Sequence, residues 1–328
     1  MDIAFHSVTV TAAARLHFGF LDLNGDLGRR FGSIGLAISG LQTRIVLSAS
    51  ERMRISGPDA DRARHYVERF QQLLGLRGSY RVDIEQAIPG HAGLGSGTQL
   101  ALALARAIRQ FHHLPTDTRG DALRLGRGGR SGVGVGLFDR GGLIVDGGRW
   151  PGEGVAPVVS RMAFPEDWRI IVVLDPNDSG IHGDDERAAF ARLPPFGDAD
   201  AGRICRLVLM QALPALAEAD LVSFASAISE MQKILGAHFA PLQGGAPFAS
   251  LAVQAALAFL ESQGACGIGQ SSWGPTGFAF AESPEQAEQL VASAKRHRRC
   301  QDLDIRVCRG LNRGALVDEN IAAAISNS

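Results

Sequence analysis

Lysine is nearly missing from this chain. Of the 33 basic residues in 328, only Lys233 and Lys295 are lysines, and the rest are arginines. No Gly-Lys-Ser/Thr triplet occurs, which excludes a Walker-type phosphate loop. Cysteine is also scarce. Cys205, Cys266, Cys300 and Cys308 lie far apart and form no Cys-x-x-Cys. That spacing argues against a disulfide framework, and reduced thiols in a cytoplasmic protein are the expectation. Long apolar runs are absent as well. The most apolar helical stretches, 207–217 and 246–260, are shorter than a bilayer span and carry Pro or Gln. The opening MDIAFHSVTV has an early acid and no long apolar core, so it does not read as a signal peptide. An excess of charge of either sign is missing too. With a net charge of −1 there is no basic field to attract nucleic acid or a membrane surface.

What is present suits a packed enzyme. The chain is 45% hydrophobic and 20% charged, and its length suggests two domains. Strands are expected at HSVTVTAA and TRIVLSASERMRIS, a helix over 60–75, a strand at SYRVDIEQAI and a short helix near 117–125. The glycine-rich segment 126–148 reads as a loop leading to a strand at LIVDGG, and WPGEGVAPVV as a linker. WRIIVVLD is a buried strand. Helices fill 185–263, followed by strands at CGIGQ and GFAFAE, a helix over 284–298 and a strand at LDIRVCR. Strands and helices in that order predict an α+β fold, divided near residue 160 into segments 1–160 and 161–328.

One stretch asks for a ligand. IPGHAGLGSGTQLALALARAI, residues 88–108, opens an apolar helix with four glycines in eight residues. Glycines cost backbone entropy and pack nothing, whereas a cap needs only one Ser or Thr. The first N–H groups of the helix, around Leu94–Thr98, lack intrahelical acceptors. Bare backbone there lets an anion approach, and the helix dipole and the hydroxyls of Ser96 and Thr98 add attraction. Gly93, Leu94, Gly95, Ser96, Gly97 and Thr98 are therefore candidate phosphate-binding residues. The plainer alternative is a glycine-rich turn into a core helix. The order Gly-Leu-Gly-Ser-Gly does not match a dinucleotide fingerprint.

PGHAGLGSGTQLALALA resembles the phosphate-binding motif of the GHMP kinase superfamily. That resemblance implies a ribosomal-protein-like N-terminal domain and a ferredoxin-like C-terminal domain. Kinases of the superfamily commonly follow with Ser-Gly-x-Asp, whose Asp acts at the accepting hydroxyl. Here Ser131-Gly132-Val133-Gly134 puts glycine in that place, and glycine accepts no proton. Three further stretches, 14–39, 126–148 and 269–280, resemble the β-ribofuranosylaminobenzene 5′-phosphate synthase family. The resemblance implies a transferase of tetrahydromethanopterin biosynthesis. Its reaction joins phosphoribosyl pyrophosphate to 4-aminobenzoate with release of CO2 and pyrophosphate, and Mg²⁺ is implied by the pyrophosphate. An ATP-dependent small-molecule kinase of the superfamily is the alternative, and a sensor that binds without turnover is a third reading. A homodimer is the expected assembly.

The remaining candidates carry alternatives. Arg15 and His17 share one face of a strand, where Arg15 suits phosphate, a benzoate carboxylate or plain solvation. The resemblance adds a catalytic role for both. Asp22 lies in the turn-like LDLNGDLG, a candidate Mg²⁺ ligand or simply turn chemistry. Of Arg29 and Arg30, one is a candidate for phosphate. Arg127, Arg130 and Ser131 suit an anion or an exposed loop. Ser271, Ser272, Trp273 and Thr276 match the superfamily's third glycine-rich motif, and Trp273 either stacks on the ring substrate or packs between domains. His182 with Asp184, Asp185 and Glu186 fits an acid-capped helix start better than a metal site, and the basic run 295–299 fits a helix end.

Overall fold

The computed structural model describes residues 5–152, 154–178, 180 and 192–322. The segment around His182 lies outside the described residues. Two long strands, β1 (Phe5–Asp22) and β2 (Phe31–Ser50), form the antiparallel spine of the first sheet. The second half of β2 pairs with β4 (Ser79–Gln86), which also pairs in parallel with β3 (Arg54–Ser56). The first half of β2 pairs with β5 (Leu143–Asp146), and β5 with β6 (Val158–Met162). Alternation explains the spine. Val8, Val10, Ala12, Ala14, Leu16 and Phe18 are all fully buried on β1.

The second sheet has the order β10-β7-β9-β8, antiparallel throughout. Its strands are β7 (Arg169–Leu174), β8 (Cys266–Gln270), β9 (Gly277–Ala281) and β10 (Asp304–Cys308). This is the ferredoxin-like arrangement, and the molecule has the expected α+β architecture. The last strand, β11 (Leu316–Ala322), pairs with β1. The first sheet thus takes a strand from well beyond residue 160.

Four helices serve the first sheet among the described residues: α1 (Ala60–Leu74), α2 (Ser96–Phe111), α3 (Thr118–Arg124) and α4 (Val133–Arg140). In the second half α5 (Asp198–Leu207) runs through a π-helical turn, Val208–Ala212, into α6 (Leu213–Ala217). Then come α7 (Leu221–Phe239), α8 (Leu251–Ser262) and α9 (Pro284–Arg296). None of these is long and apolar enough to cross a membrane.

Two expectations are corrected. The segment 133–140 is helical, although its glycines argued for a loop. Val133, Val135, Leu137 and Phe138 are buried, and that packing outweighs the poor helix propensity of glycine. Gly136 is there for closeness, since a Cβ would lie 2.8 Å from Val158 Cγ2. The stretch read as a linker ends inside a strand, since Val158 and Val159 begin β6, which is held by its pairing with β5.

One hydrophobic cluster unites the two sheets. Phe18 of β1 packs against Phe278 and Phe280 of β9, with ring centroids 5.0 and 5.8 Å away. Phe224 of α7 completes the group, 5.4 Å from Phe280.

Candidate active site

The glycine loop lies at the seam between the sheets. Gly93 has φ 73° and Gly95 has φ 82°, left-handed values that favour glycine. At Gly93 the space decides as well, because a Cβ would meet the carbonyl oxygen of Ser271 at 2.3 Å. Gly95 caps α2, and its carbonyl accepts from Thr98 and Gln99 N–H. The N–H groups of Ser96 and Gly97 come before the first intrahelical acceptors.

Three distant segments hold this loop in place. The Arg15 N–H donates to Leu94 O at 3.1 Å, and Arg15 Nη1 donates to Gly93 O at 2.5 Å. Ser271, fully buried, donates its hydroxyl to Gly93 O at 2.7 Å and accepts from His17 N–H at 3.0 Å. Ser272, at φ 58°, donates its N–H to His17 O. Ser271 thus ties β1, the loop and the turn between β8 and β9 into one unit.

Around the loop opens a cavity of about 390 Å³. Arg15, Arg62, Arg127, His91, Ser272 and Trp273 line it together with residues 93–98. Three arginines and no carboxylate face it among the described residues. Arg127 lies against the first turn of α2, its Nη1 3.2 Å from where a Cβ of Gly97 would be. Burial, and then the nearby Arg62 charge, hold the Arg127 pKa below its ordinary value. Such a cavity attracts a compact polyanion.

A second cavity, about 20 Å³, adjoins the first at Ser272 and Trp273. Its size suits a water rather than a ring. Its walls include His17, Phe20, Phe239 and three amides, Gln232, Gln243 and Gln270. The amides brace one another: Gln270 N–H donates to Gln232 Oε1 at 2.8 Å, and Gln270 Nε2 to Gln243 Oε1 at 2.9 Å. His17 is 2% exposed, and its Nδ1 has no hydrogen-bond partner among the described residues. Burial first, and then the Arg15 charge, lower its pKa to about 3, so the imidazole is neutral at neutral pH. Trp273 is buried and packs on Phe239 with ring centroids 4.8 Å apart.

The other candidates lie elsewhere. Asp22 sits seven residues beyond Arg15 on the same strand, roughly 20 Å away by strand rise. Its Oδ1 accepts from the N–H groups of Asn24 and Gly25, which is turn chemistry. Arg29 donates to Gly148 O and Arg30 to Leu23 O. Arg130 and Ser131 do not line the cavity. The Ser131 hydroxyl reaches Asp146 at 3.3 Å, and this buried carboxylate also accepts from Gly132 N–H at 2.8 Å. Ser131 therefore secures the start of α4. Thr276 is fully buried, and its carbonyl accepts from Ser271 N–H. Gly134, at the kinase-aspartate place, lies on Thr98, where a Cβ would be 3.3 Å from its methyl. Arg62 and Asp146 escaped sequence reasoning. One more arginine on an amphipathic helix, or one more aspartate at a strand end, carries no local signal.

The GHMP kinases N terminal domain family matches residues 61–140, and the GHMP kinases C terminal family matches 212–299. Beta-ribofuranosylphenol 5'-phosphate synthase of Archaeoglobus fulgidus is 34% identical over 282 residues, covering 82% of this chain and 86% of the relative. The protein of the same name from Methanothermobacter thermautotrophicus is 30% identical over 331 residues, covering 94% and 98%. Among solved structures, homoserine kinase from Cytophaga hutchinsonii superposes with a TM-score of 0.68 at 17% identity, covering 95% and 97% of the two chains. Mevalonate diphosphate decarboxylase from Staphylococcus aureus gives 0.66 at 14%, covering 96% and 98%. At such identities these structures speak for the fold alone.

Proposed function

The chain belongs to the GHMP kinase superfamily and, within it, to the beta-ribofuranosylphenol 5'-phosphate synthase family, and from that premise we propose that it makes a C-riboside by decarboxylation. Phosphoribosyl pyrophosphate supplies the ribose, and a para-substituted benzoate supplies the ring. The sequence resemblance suggests 4-aminobenzoate. The relatives are named for a phenol product, which makes 4-hydroxybenzoate the first ring acid to test. A methanopterin-type pathway is the proposed setting.

The observation that carries this reading is the arginine-lined cavity with no carboxylate among its described lining residues. A kinase needs a group that orients or deprotonates an alcohol. A leaving pyrophosphate needs positive charge and N–H donors instead. The C1–O bond of the ribose breaks with its electron pair going to pyrophosphate, which leaves an oxocarbenium-like sugar. The ring carbon that bears the carboxylate attacks C1, pushed by the para hydroxyl or amino group. The bond to the carboxylate then breaks, CO2 leaves, and the electron pair restores aromaticity. No ring proton has to be removed.

In this scheme the glycine loop and Arg15 hold the sugar phosphates. The ring enters where the two cavities meet, at Ser272 and Trp273, with neutral His17 beside it. Among the described residues no three His, Cys, Asp or Glu side chains gather as a metal site. Asp22 lies away from the loop. The described residues offer no cluster for a protein-held Mg²⁺, and we propose Mg²⁺ as the counter-ion of the substrate's pyrophosphate.

The test is incubation with Mg²⁺, phosphoribosyl pyrophosphate and either ring acid, with a parallel arm of ATP and candidate alcohols. Riboside phosphate formed with pyrophosphate supports the synthase. ATP consumption with phosphorylation of an alcohol supports the kinase reading instead.

A further inference from the structure

We infer that Arg62 of α1 and Arg127 form a guanidinium clamp for a diphosphate group beside the glycine loop. The two side chains come from unrelated parts of the sequence and line one cavity. In each the Nε atom is buried without a hydrogen-bond partner among the described residues. A buried unsatisfied donor is costly, and a charged one more so, unless an acceptor arrives. Arg127 makes no ion pair among the described residues. Among the described residues Arg62 pairs only with Asp59, at 2.5 Å. Two guanidiniums facing one space repel each other, and after burial, the larger cause, the Arg62 charge adds to the lowering of the Arg127 pKa. An anion between them turns the repulsion into two attractions.

The ligand's chemistry follows from the charge. A single phosphate placed at the α2 terminus engages one side of the cavity. A diphosphate has the length and charge to reach the loop and both arginines together, and each guanidinium offers a planar pair of donors. The clamp would then hold the leaving group of the proposed reaction. The identity of the whole substrate rests on that proposal, whereas the diphosphate preference does not. The competing explanation for Arg127 is packing, since its guanidinium lies 5.1 Å from the Tyr66 ring.

Calorimetric titration with inorganic pyrophosphate and with inorganic phosphate separates these. The proteins are wild type, Arg62→Gln, Arg127→Gln and the double variant, each with its ligand-free melting temperature recorded. The clamp predicts that wild type prefers pyrophosphate to phosphate. It predicts at least a tenfold loss of pyrophosphate affinity in each single variant, with ligand-free melting temperatures unchanged or higher. If Arg127→Gln does not fold, Arg62→Gln decides, because it leaves the Tyr66 contact in place. Pyrophosphate affinity within twofold of wild type in Arg62→Gln, or equal affinity of wild type for the two anions, would overturn the inference. Unaffected affinity in an enzyme that makes riboside removes the clamp alone. Lost affinity in an enzyme that turns over no ring acid removes the reaction alone.

Discussion

His17 sits in an environment far from that of water. Its pKa, lowered to about 3 by burial and then by Arg15, makes its charged form costly in the folded state. The sign follows from linkage. Unfolded chains bind a proton near pH 6.5, the folded protein only near 3, so the neutral ring's stabilisation is complete above 6.5. It is lost progressively as pH falls from there to about 3. A gap of that size corresponds to about 4–5 kcal/mol. Urea unfolding of wild type and His17→Gln at pH 7 and pH 4 should show a smaller loss in the variant. Equal losses would mean that His17 is not the group responsible. Ser271 teaches a different lesson at this scale. Its two partners, Gly93 and His17, lie 178 and 254 residues away in sequence. No reading of its neighbours reveals that. The glycine loop was legible because an excess of bare backbone is itself a local signal. Arg15 and His17 were legible as neighbours on one strand face, but the depth at which His17 is buried was not.

Among the elements, α2 joins fold to function. Leu100, Ala101, Leu102, Ala103, Leu104 and Ala105 are all buried, so the helix is core on most faces and its N-terminus is fixed in direction. Gly97, in the first turn, tests the anion site without disturbing that core. Its backbone is not left-handed, and alanine is the better helix former by about 1 kcal/mol in a helix interior. The added methyl would press on Arg127 at 3.2 Å. Gly97→Ala is expected to melt at or above the wild-type temperature while binding pyrophosphate at least tenfold more weakly. Unchanged affinity by calorimetry would separate Gly97 from the site. The helices over 60–74, 96–111 and 284–296 and the buried strand at 169–174 were readable from pattern. Helix α4 was not. Its glycines answer to Thr98, Val158 and Ile144, which sequence order does not place beside them.

At the scale of the molecule, the two halves share a core and do not merely touch. Phe18 of the first sheet is fully buried among Phe224, Phe278 and Phe280 of the second half. The last strand, β11, returns to pair with β1. Phe18→Ala should cost about 3–5 kcal/mol and leave a single cooperative transition. Coincident far- and near-ultraviolet circular dichroism curves in urea would show that, whereas two separated transitions would contradict a shared core. At the seam of that shared core, arginines from β1, from α1 and from the loop after α3 line one cavity. That convergence underlies the proposed chemistry, which replaces base catalysis by stabilisation of a leaving group and loss of CO2. The most direct measurement is therefore stoichiometric. Carboxyl-labelled 4-hydroxybenzoate and 4-aminobenzoate are each incubated with phosphoribosyl pyrophosphate and Mg²⁺, beside phenol and aniline as acceptors without a carboxylate. The account predicts one labelled CO2 per pyrophosphate from at least one acid, and no riboside from phenol or aniline. Pyrophosphate released without matching CO2, or efficient riboside formation from aniline or phenol, would contradict it.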